Sequence, residues 1–347
     1  MTTLERPITP ARASRARLRR RGRRSTAALA LGVFALFVLT MMVGSYFVSA
    51  PDVVKSVLHL TNNPGPDFIV RELRLPRALA AVCVGLALGV SGTIFQQLLG
   101  NLLASPDFIG ISSGASVAAV SGIVLFHFTG FGISLAALLG ALGSAGLIYV
   151  IAWRDGISGY RLILVGIGVS EFMLAIVSYL TARADLYDAR EAMHWLTGSI
   201  GQSGNRELVA LIAALVILLP AALILARPLR ALELGDDAAR ALGSRVELSR
   251  AGLIGVSIAL VAFATAVAGP IAFVALVAGP IARRILGPAS GGILASAFVG
   301  AIIVLGADLV SQHLLPEALP TGVVTGAVGA PYLTWLLATV NREGRGG

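Results

Sequence analysis

The chain has 347 residues, 56% of them hydrophobic and only 13% charged, with 40 glycines; soluble domains carry roughly a quarter charged residues, so a water-soluble enzyme is excluded. At about 20 apolar residues per crossing, the length suits around ten membrane helices joined by short loops. The formal charge of +9 is no nucleic-acid signal, because nine arginines against Glu5 within residues 1–24 hold +8 of it, and such a run beside a membrane span reads as a cytoplasmic anchor.

The basic tail (1–25) leads into the apolar stretch Ala27–Val48. Val48-Ser49-Ala50 imitates a cleavage site, but the stretch is longer than the roughly 7–15 residues of a signal-peptide core, so it reads as an uncleaved first span. Apolar runs bounded by Pro, Gly or charge then place spans near 26–48, 76–99, 108–127, 131–152, 161–181, 207–226, 250–268, 273–286, 290–312 and 321–340, within a permease-sized domain of 26–341. A short tail, 342–347, lies beyond it. The third and eighth runs are short for a bilayer of about 30 Å and are expected to be tilted, broken or shielded by neighbours. The single cysteine, Cys83, lies in an apolar run, which leaves no intrachain disulfide and no cysteine metal cluster.

With the N-terminus inside, the inner segments hold 20 Lys and Arg and the outer ones hold seven: Lys55, Arg71, Arg74, Arg77, Arg183, Arg190 and Arg206. That bias predicts both termini in the cytoplasm and an even number of spans. Two stretches exceed ordinary loops, 50–75 outside and 227–249 inside. The inner one is expected to hold two short amphipathic pieces, the second opened by Asp236 and Asp237 after Gly235 and closed by Gly243. Leu234, Ala238, Ala241 and Leu242 would line one face of it, either to rest on the protein or lipid headgroups or to dock a cytoplasmic partner.

The only lysine is Lys55, in an outer loop, so no P-loop is present and any ATP hydrolysis belongs to another polypeptide. His59, His127, His194 and His313 are scattered without ligand spacing, and neither a metal site nor a catalytic residue is expected. The candidates for an ionisable group at membrane depth are Glu171 and Asp308. Glu171 lies near mid-membrane, as a relay, a pathway residue or a structural carboxylate, and Asp308 lies nearer the outer end, where bonding to neighbouring groups is expected. Gly85/Gly89, Gly110/Gly114 and Gly322/Gly326 are small-xxx-small pairs read first as packing within one subunit. Pro270, Pro280 and Pro331 would interrupt helices where a neighbour satisfies the freed carbonyls.

Several ordered segments over residues 70–340 resemble FecCD-type permeases of ATP-binding-cassette importers for iron-siderophores, haem and cobalamin. They are Arg74-Leu75-Pro76-Arg77; Gly89-Val90-Ser91-Gly92 with Gln96, Gln97 and Asn101; Ser105-Pro106-Asp107 running through Gly110 to Ala115; Trp195-Leu196-Thr197-Gly198-Ser199; Ala239-Arg240-Ala241-Leu242-Gly243; Ala268-Gly269-Pro270; and Leu319-Pro320-Thr321-Gly322 running to Pro331. The resemblance implies an all-α polytopic fold of about ten helices, like the permeases of type II importers, in the cytoplasmic membrane. It also implies a second permease subunit, homologous or identical, two cytoplasmic ATPases that carry the ATP and Mg²⁺, and an external siderophore-binding protein, with no cofactor on this chain and no nucleic-acid partner.

By the same resemblance, segment 228–243 is the ATPase-coupling element, through Leu234, Gly235, Asp236, Asp237, Ala238, Arg240, Leu242 and Gly243. Arg74 and Arg77 meet acidic groups of the binding protein, with Gln312 where many members carry a third arginine. Asn101, Leu103 and Ser158 stand at the cytoplasmic gate, and Gln96, Gln97 and Glu171 are candidate pathway residues. Leu102 stands where the gate turn usually has proline, and Ile281 comes after Pro280 where histidine is common. The reading is a permease subunit importing a ferric siderophore by alternating access, without covalent chemistry. A cobalamin or haem permease, an ion-coupled carrier dependent on Glu171 and a non-transporting scaffold are the alternatives.

Overall fold

The computed structural model describes residues 9–44, 46–60, 63–153, 159–202, 204–287, 292–314 and 317–343. Helix α1 (Thr9–Met42) is followed by the short α2 (Ala50–Val57) and α3 (Pro64–Phe68), then by a π-helical turn (Ile69–Arg74) that runs directly into α4 (Leu75–Leu98). A 3-10 turn (Pro106–Ile109) precedes α5 (Ile111–Phe126), α6 (Phe131–Ala152) and α7 (Gly159–Arg183). Next come α8 (Leu186–Leu196), a 3-10 turn (Ile200–Gln202), α9 (Asn205–Leu232), α10 (Asp236–Ala241), α11 (Val246–Ala268), α12 (Val274–Leu286), α13 (Ile293–His313) and α14 (Thr321–Glu343).

The ten expected spans correspond to α1, α4, α5, α6, α7, α9, α11, α12, α13 and α14. Seven of the helical stretches among the described residues are long and apolar enough to cross a bilayer; α5 is shorter. The 50–75 stretch is not a loop but α2, α3 and the π turn, and α8 occupies the 182–206 connection.

Helix α4 is the axis of the core, packed against α13, α11, α12 and α9. Its sequence explains this position: Gly85, Gly89 and Gly92 lie so close to other backbones that a Cβ would collide with Ala301, Ser296 and Ala275 respectively. Absent side chains let helices approach and gain dispersion contact where lipid offers no hydrophobic contrast. The α5–α6 seam works the same way, with Gly114 against Ser144 and Gly140, and the Ser144 hydroxyl donates to the Gly110 carbonyl at 2.6 Å. Gly322 abuts the Thr197 carbonyl, whereas Gly326 faces open space. The small-residue pairs are therefore seams within the chain, apart from Gly326.

Gly89→Leu is expected to force α4 and α13 apart at a cost of about 3 kcal/mol or more, seen as a lowered melting temperature of the detergent-purified protein. Gly146→Ala, where a Cβ meets nothing within 4 Å, should leave it unchanged. Equal melting of wild type and Gly89→Leu would disprove the seam.

The basic segment and the first span share one helix, since α1 starts at Thr9 and carries exposed Arg20, Arg21, Arg23 and Arg24 ahead of the apolar stretch. One expectation is corrected. The first of the two amphipathic pieces does not exist as such: α9 continues through Pro220 and Pro228 to Leu232, and only α10 is separate. A proline removes one amide donor, and the helix tolerates that where its neighbours hold it in place.

The eighth span, α12, is short as expected: its 13 residues reach about 20 Å at 1.5 Å per residue, short of the roughly 30 Å hydrocarbon layer. It is reached through non-helical residues 269–273, with Gly269 at φ +69° and Phe273 at φ +68°. The Ser199 N–H donates to the Ala268 carbonyl at 2.7 Å, and Gly269 N–H donates to Thr265 at 2.8 Å. Irregular backbone at membrane depth is sustained because the protein itself satisfies it.

Candidate functional site

Helices α4, α6, α9, α12 and α14 run towards the end of the bundle that carries α10, and the turns of interest gather there. After α4 the chain reverses at Gly100 (φ +60°). Asn101 fixes the turn on both sides: its N–H donates to the Gln96 carbonyl at 3.1 Å, and its Oδ1 accepts from the Leu103 N–H at 2.9 Å. This Asx turn supplies the order that proline at 102 would otherwise give. Downstream, Ser105 Oγ accepts from Asp107 N–H, while the Asp107 carboxylate accepts from Ser112 Oγ at 2.7 Å and Ser105 Oγ at 3.1 Å. The loop therefore arrives at α5 as a fixed unit. Ser158, the other expected gate residue, lies outside the described residues.

Helix α10 begins after Gly235 and is followed by Gly243 at φ +81°. Ala239 is buried beneath it, whereas Leu234 and Leu242 remain 68% and 66% exposed. Asp236 in its first turn accepts from Arg250 Nη2 at 2.8 Å, and Arg250 also lies 3.6 Å from Glu247. Asp237 pairs with Arg240 at 3.0 Å on the open surface, a contact of at most about 1 kcal/mol. A cavity of about 550 Å³ is lined by Leu98, Leu99, Asn101, Tyr160, Asp236 and Arg250 among others. The turn after α4, the start of α7 and α10 are thus brought to one place, although they are far apart in sequence. Leu103 is half-buried beside this cavity's turn and does not line it.

Gln96, a candidate pathway residue, is 1% exposed within the chain, and its amide joins α4 to α12. Pro280 has no N–H, so the Leu276 carbonyl four residues earlier lacks its helical donor; Gln96 Nε2 supplies one at 2.7 Å. Gln96 Oε1 in turn accepts from Arg283 Nη2 at 2.9 Å. Gly279 makes room, since a Cβ there would strike Gln96 Oε1 and Thr93 Oγ1. Gln97 is likewise buried within the chain, whereas Glu171 is exposed midway along α7 beside Phe172. Arg283, Arg250 and Glu233 were not singled out in the sequence; the proline three residues before Arg283, with its stranded carbonyl, was the one available signal.

At the opposite end, both expected docking arginines are engaged internally. Arg77 makes a two-pronged ion pair with Asp308, Nε to Oδ2 at 2.9 Å and Nη2 to Oδ1 at 2.8 Å. Thr321 Oγ1 donates to the same carboxylate at 2.9 Å, so α4, α13 and α14 meet at Asp308, as the sequence led one to expect of that residue. Arg74 donates to the carbonyls of Met41, Met42 and Tyr46, capping the C-terminus of α1. Arg74, Arg77, Gln312, His313, Glu72 and Asp308 line part of a cavity of about 670 Å³ that opens at this end.

The sequence pattern of the FecCD transport family matches residues 32–339. A ferric enterobactin transport system permease protein, FepG of Escherichia coli (strain K12), is 44% identical over 276 residues, covering 79% of this chain and 84% of that protein. An achromobactin transport system permease protein, CbrC of Dickeya dadantii (strain 3937), is 40% identical over 309 residues, covering 88% of each. Among solved structures, an inward-facing transporter of the metal-chelate ABC type superposes with a TM-score of 0.80 at 27% identity, over 90% of this chain and 98% of that one.

Proposed function

The chain belongs to the FecCD transport family, and from that premise we propose that it is the permease subunit of an ATP-binding-cassette importer carrying a ferric siderophore into the cytoplasm. It is a multi-pass membrane protein of a family of transporter permeases, not of enzymes. The observation that carries the mechanistic part is the meeting of α10, with its exposed leucines, and the Asn101 turn around one cavity. The cargo class rests on the two relatives named above, permeases of a ferric enterobactin and an achromobactin transport system.

In this reading α10 and both termini are cytoplasmic, in keeping with the excess of basic residues at that end. Leu234, Gly235, Asp236, Asp237, Ala238, Arg240, Leu242 and Gly243 present the coupling surface to one of two ATPases, which bind the ATP and Mg²⁺. Nucleotide-driven movement of this surface shifts the equilibrium of the gate formed by Asn101, Leu103 and Ser158. A second permease covers the exposed face of α7, where Glu171 would be costly against lipid and suits a lumen between subunits. At the outer end, an acidic group of the binding protein would share the 27% exposed side chain of Arg77 with Asp308, beside Arg74 and Gln312.

Cells lacking this chain are expected to lose uptake of one class of ⁵⁵Fe-labelled chelate from a panel of ferric enterobactin, ferric hydroxamate and ferric citrate, and to regain it with the wild-type chain. Unchanged uptake of every iron chelate would overturn the cargo, and loss of labelled cobalamin or haem uptake instead would reassign it.

A further inference from the structure

Helices α7 and α8 form a hairpin at the end of the bundle opposite α10, and a groove of about 620 Å³ lies between them. Val177, Ser178 and Thr181 of α7 line it with Arg190, Met193 and Leu196 of α8. The wall is mostly apolar, and Arg190 is its one charged side chain among the described residues. Ser178 and Thr181 donate to the Leu174 and Val177 carbonyls of their own helix, at 2.9 Å and 2.8 Å, so the guanidinium is the donor left for a guest.

The charges of α8 are sorted by face. Asp188 lies 3.4 Å from His127 at the end of α5. Glu191, one turn on, lines a separate cavity with His194, Trp195, Ile133 of α6 and Ala266 of α11. The carboxylates thus recur at helical spacing on the side turned to the bundle, and Arg190 with Met193 and Leu196 lies on the other. Asp185 stands at the N-cap, ahead of both. Among the described residues no carboxylate lies within 4 Å of Arg190 or of Arg183, the last residue of α7. Arg183 instead lies over the exposed Tyr179 ring, 5.3 Å from its centroid.

An unpaired guanidinium beside an apolar wall, with a second cation stacked on a ring at its flank, suits a flat anion that offers charge at one edge and a ring face at the other. Glu171 decides between a lipid headgroup and a solute. It lies on the α7 stripe of Ser178 and Ala182, two turns or about 10 Å further in. A carboxylate facing lipid is costly, so this stripe and the groove that ends it face water.

We propose that the groove is the outer half-site for a ferric tris-catecholate, a trianion with flat aromatic arms, and that Arg190 selects it over neutral ferric hydroxamates. This assignment rests on the importer reading above and names the cargo chemistry within it. Arg190 donates to a catecholate oxygen while Val177, Met193 and Leu196 bear the ring. Glu171, of the cargo's own sign, lies deeper on the same stripe, so the chelate is admitted without being held, as passage requires.

The test uses the assembled transporter, purified from the source cells through a tag on this chain and placed in nanodiscs of zwitterionic lipid without its binding protein. Equilibrium binding of ⁵⁵Fe-labelled enterobactin, a tris-catecholate, and of a neutral ferric hydroxamate is measured. The wild type is expected to bind ferric enterobactin, more weakly as salt rises, and to prefer it to the hydroxamate. Arg190→Gln should weaken that binding about tenfold, the loss of one charge-assisted bond, and flatten its salt dependence. Arg190→Lys should restore most of it, and Glu191→Gln, on the other face, should match the wild type. Arg190 is exposed, so Arg190→Gln should keep the wild-type melting temperature, which separates lost recognition from misfolding. Equal binding of both chelates, no binding of either, or an unchanged affinity in Arg190→Gln overturns the half-site, while the importer reading still stands or falls on the uptake experiment. Binding abolished when phosphatidylglycerol replaces the zwitterionic lipid gives the groove to a headgroup and overturns the half-site as well.

Discussion

Leu234→Asp and Ala238→Asp, each expressed at normal membrane levels, are expected to reduce iron-chelate uptake to the background of cells lacking the chain. Leu234 is 68% exposed and Leu242 66%, so neither contributes much to the fold that displays them. An apolar side chain left open at a turn after a membrane helix gains by burial in a partner, roughly 1.5–3 kcal/mol for a leucine fully covered. A carboxylate placed there loses that gain and must be stripped of water without a counter-charge, a further penalty of several kcal/mol. A total near 4 kcal/mol corresponds to about a thousandfold weaker association. Copurification of the ATPase with a tagged chain checks this directly. Arg240→Ala, which removes only the surface pair with Asp237, should retain uptake. Full rescue by Leu234→Asp would remove α10 from the coupling pathway.

The second large effect is expected at the opposite end. Asp308→Ala strands Arg77 and the Thr321 hydroxyl together, and breaking such a partly buried pair costs up to about 3 kcal/mol. Because the carboxylate ties three helices, the loss should appear as a lower melting temperature and as proteolysis between α13 and α14. Arg77→Met/Asp308→Leu should recover much of the stability, since a filled apolar site need not be weaker than an ion pair. If the double variant melts below Asp308→Ala, the site requires charge rather than occupancy. In the importer reading Arg77→Met/Asp308→Leu also separates roles: a stable protein that no longer imports would place Arg77 in docking.

What the sequence disclosed and what it concealed divide along physical lines. The ten apolar runs were legible because lipid solvation demands a continuous signal of about 20 residues. Asp236 and Gly243 were legible as the ends of α10 because start and stop chemistry is local. The continuity of α9 past Pro228 was hidden, since the sequence shows the lost amide and not the neighbours that compensate for it. The partners of Gln96 were hidden for a related reason. A glutamine in a membrane helix announces a polar partner but does not say whether that partner is cargo or a carbonyl 180 residues away. Arg250 and Arg283 looked like ordinary basic residues at span ends, and only the fold shows that one meets Asp236 and the other Gln96. Arg77 shows the limit of family resemblance, because the motif marks the residue but not the pairing with Asp308 that occupies it.

The shortness of α12 bears on how the protein is made. A 13-residue helix containing Pro280 and carrying Arg283 and Arg284 in its last turn is a weak candidate for insertion on its own, where arginine and proline both count against a segment. Its stranded carbonyl is satisfied by Gln96, a residue synthesised long before it, and its N-terminal approach is stitched to the loop at Ser199. The groups that hold α12 at its depth therefore come from α4 and the turn after α8, both of which precede it in the chain.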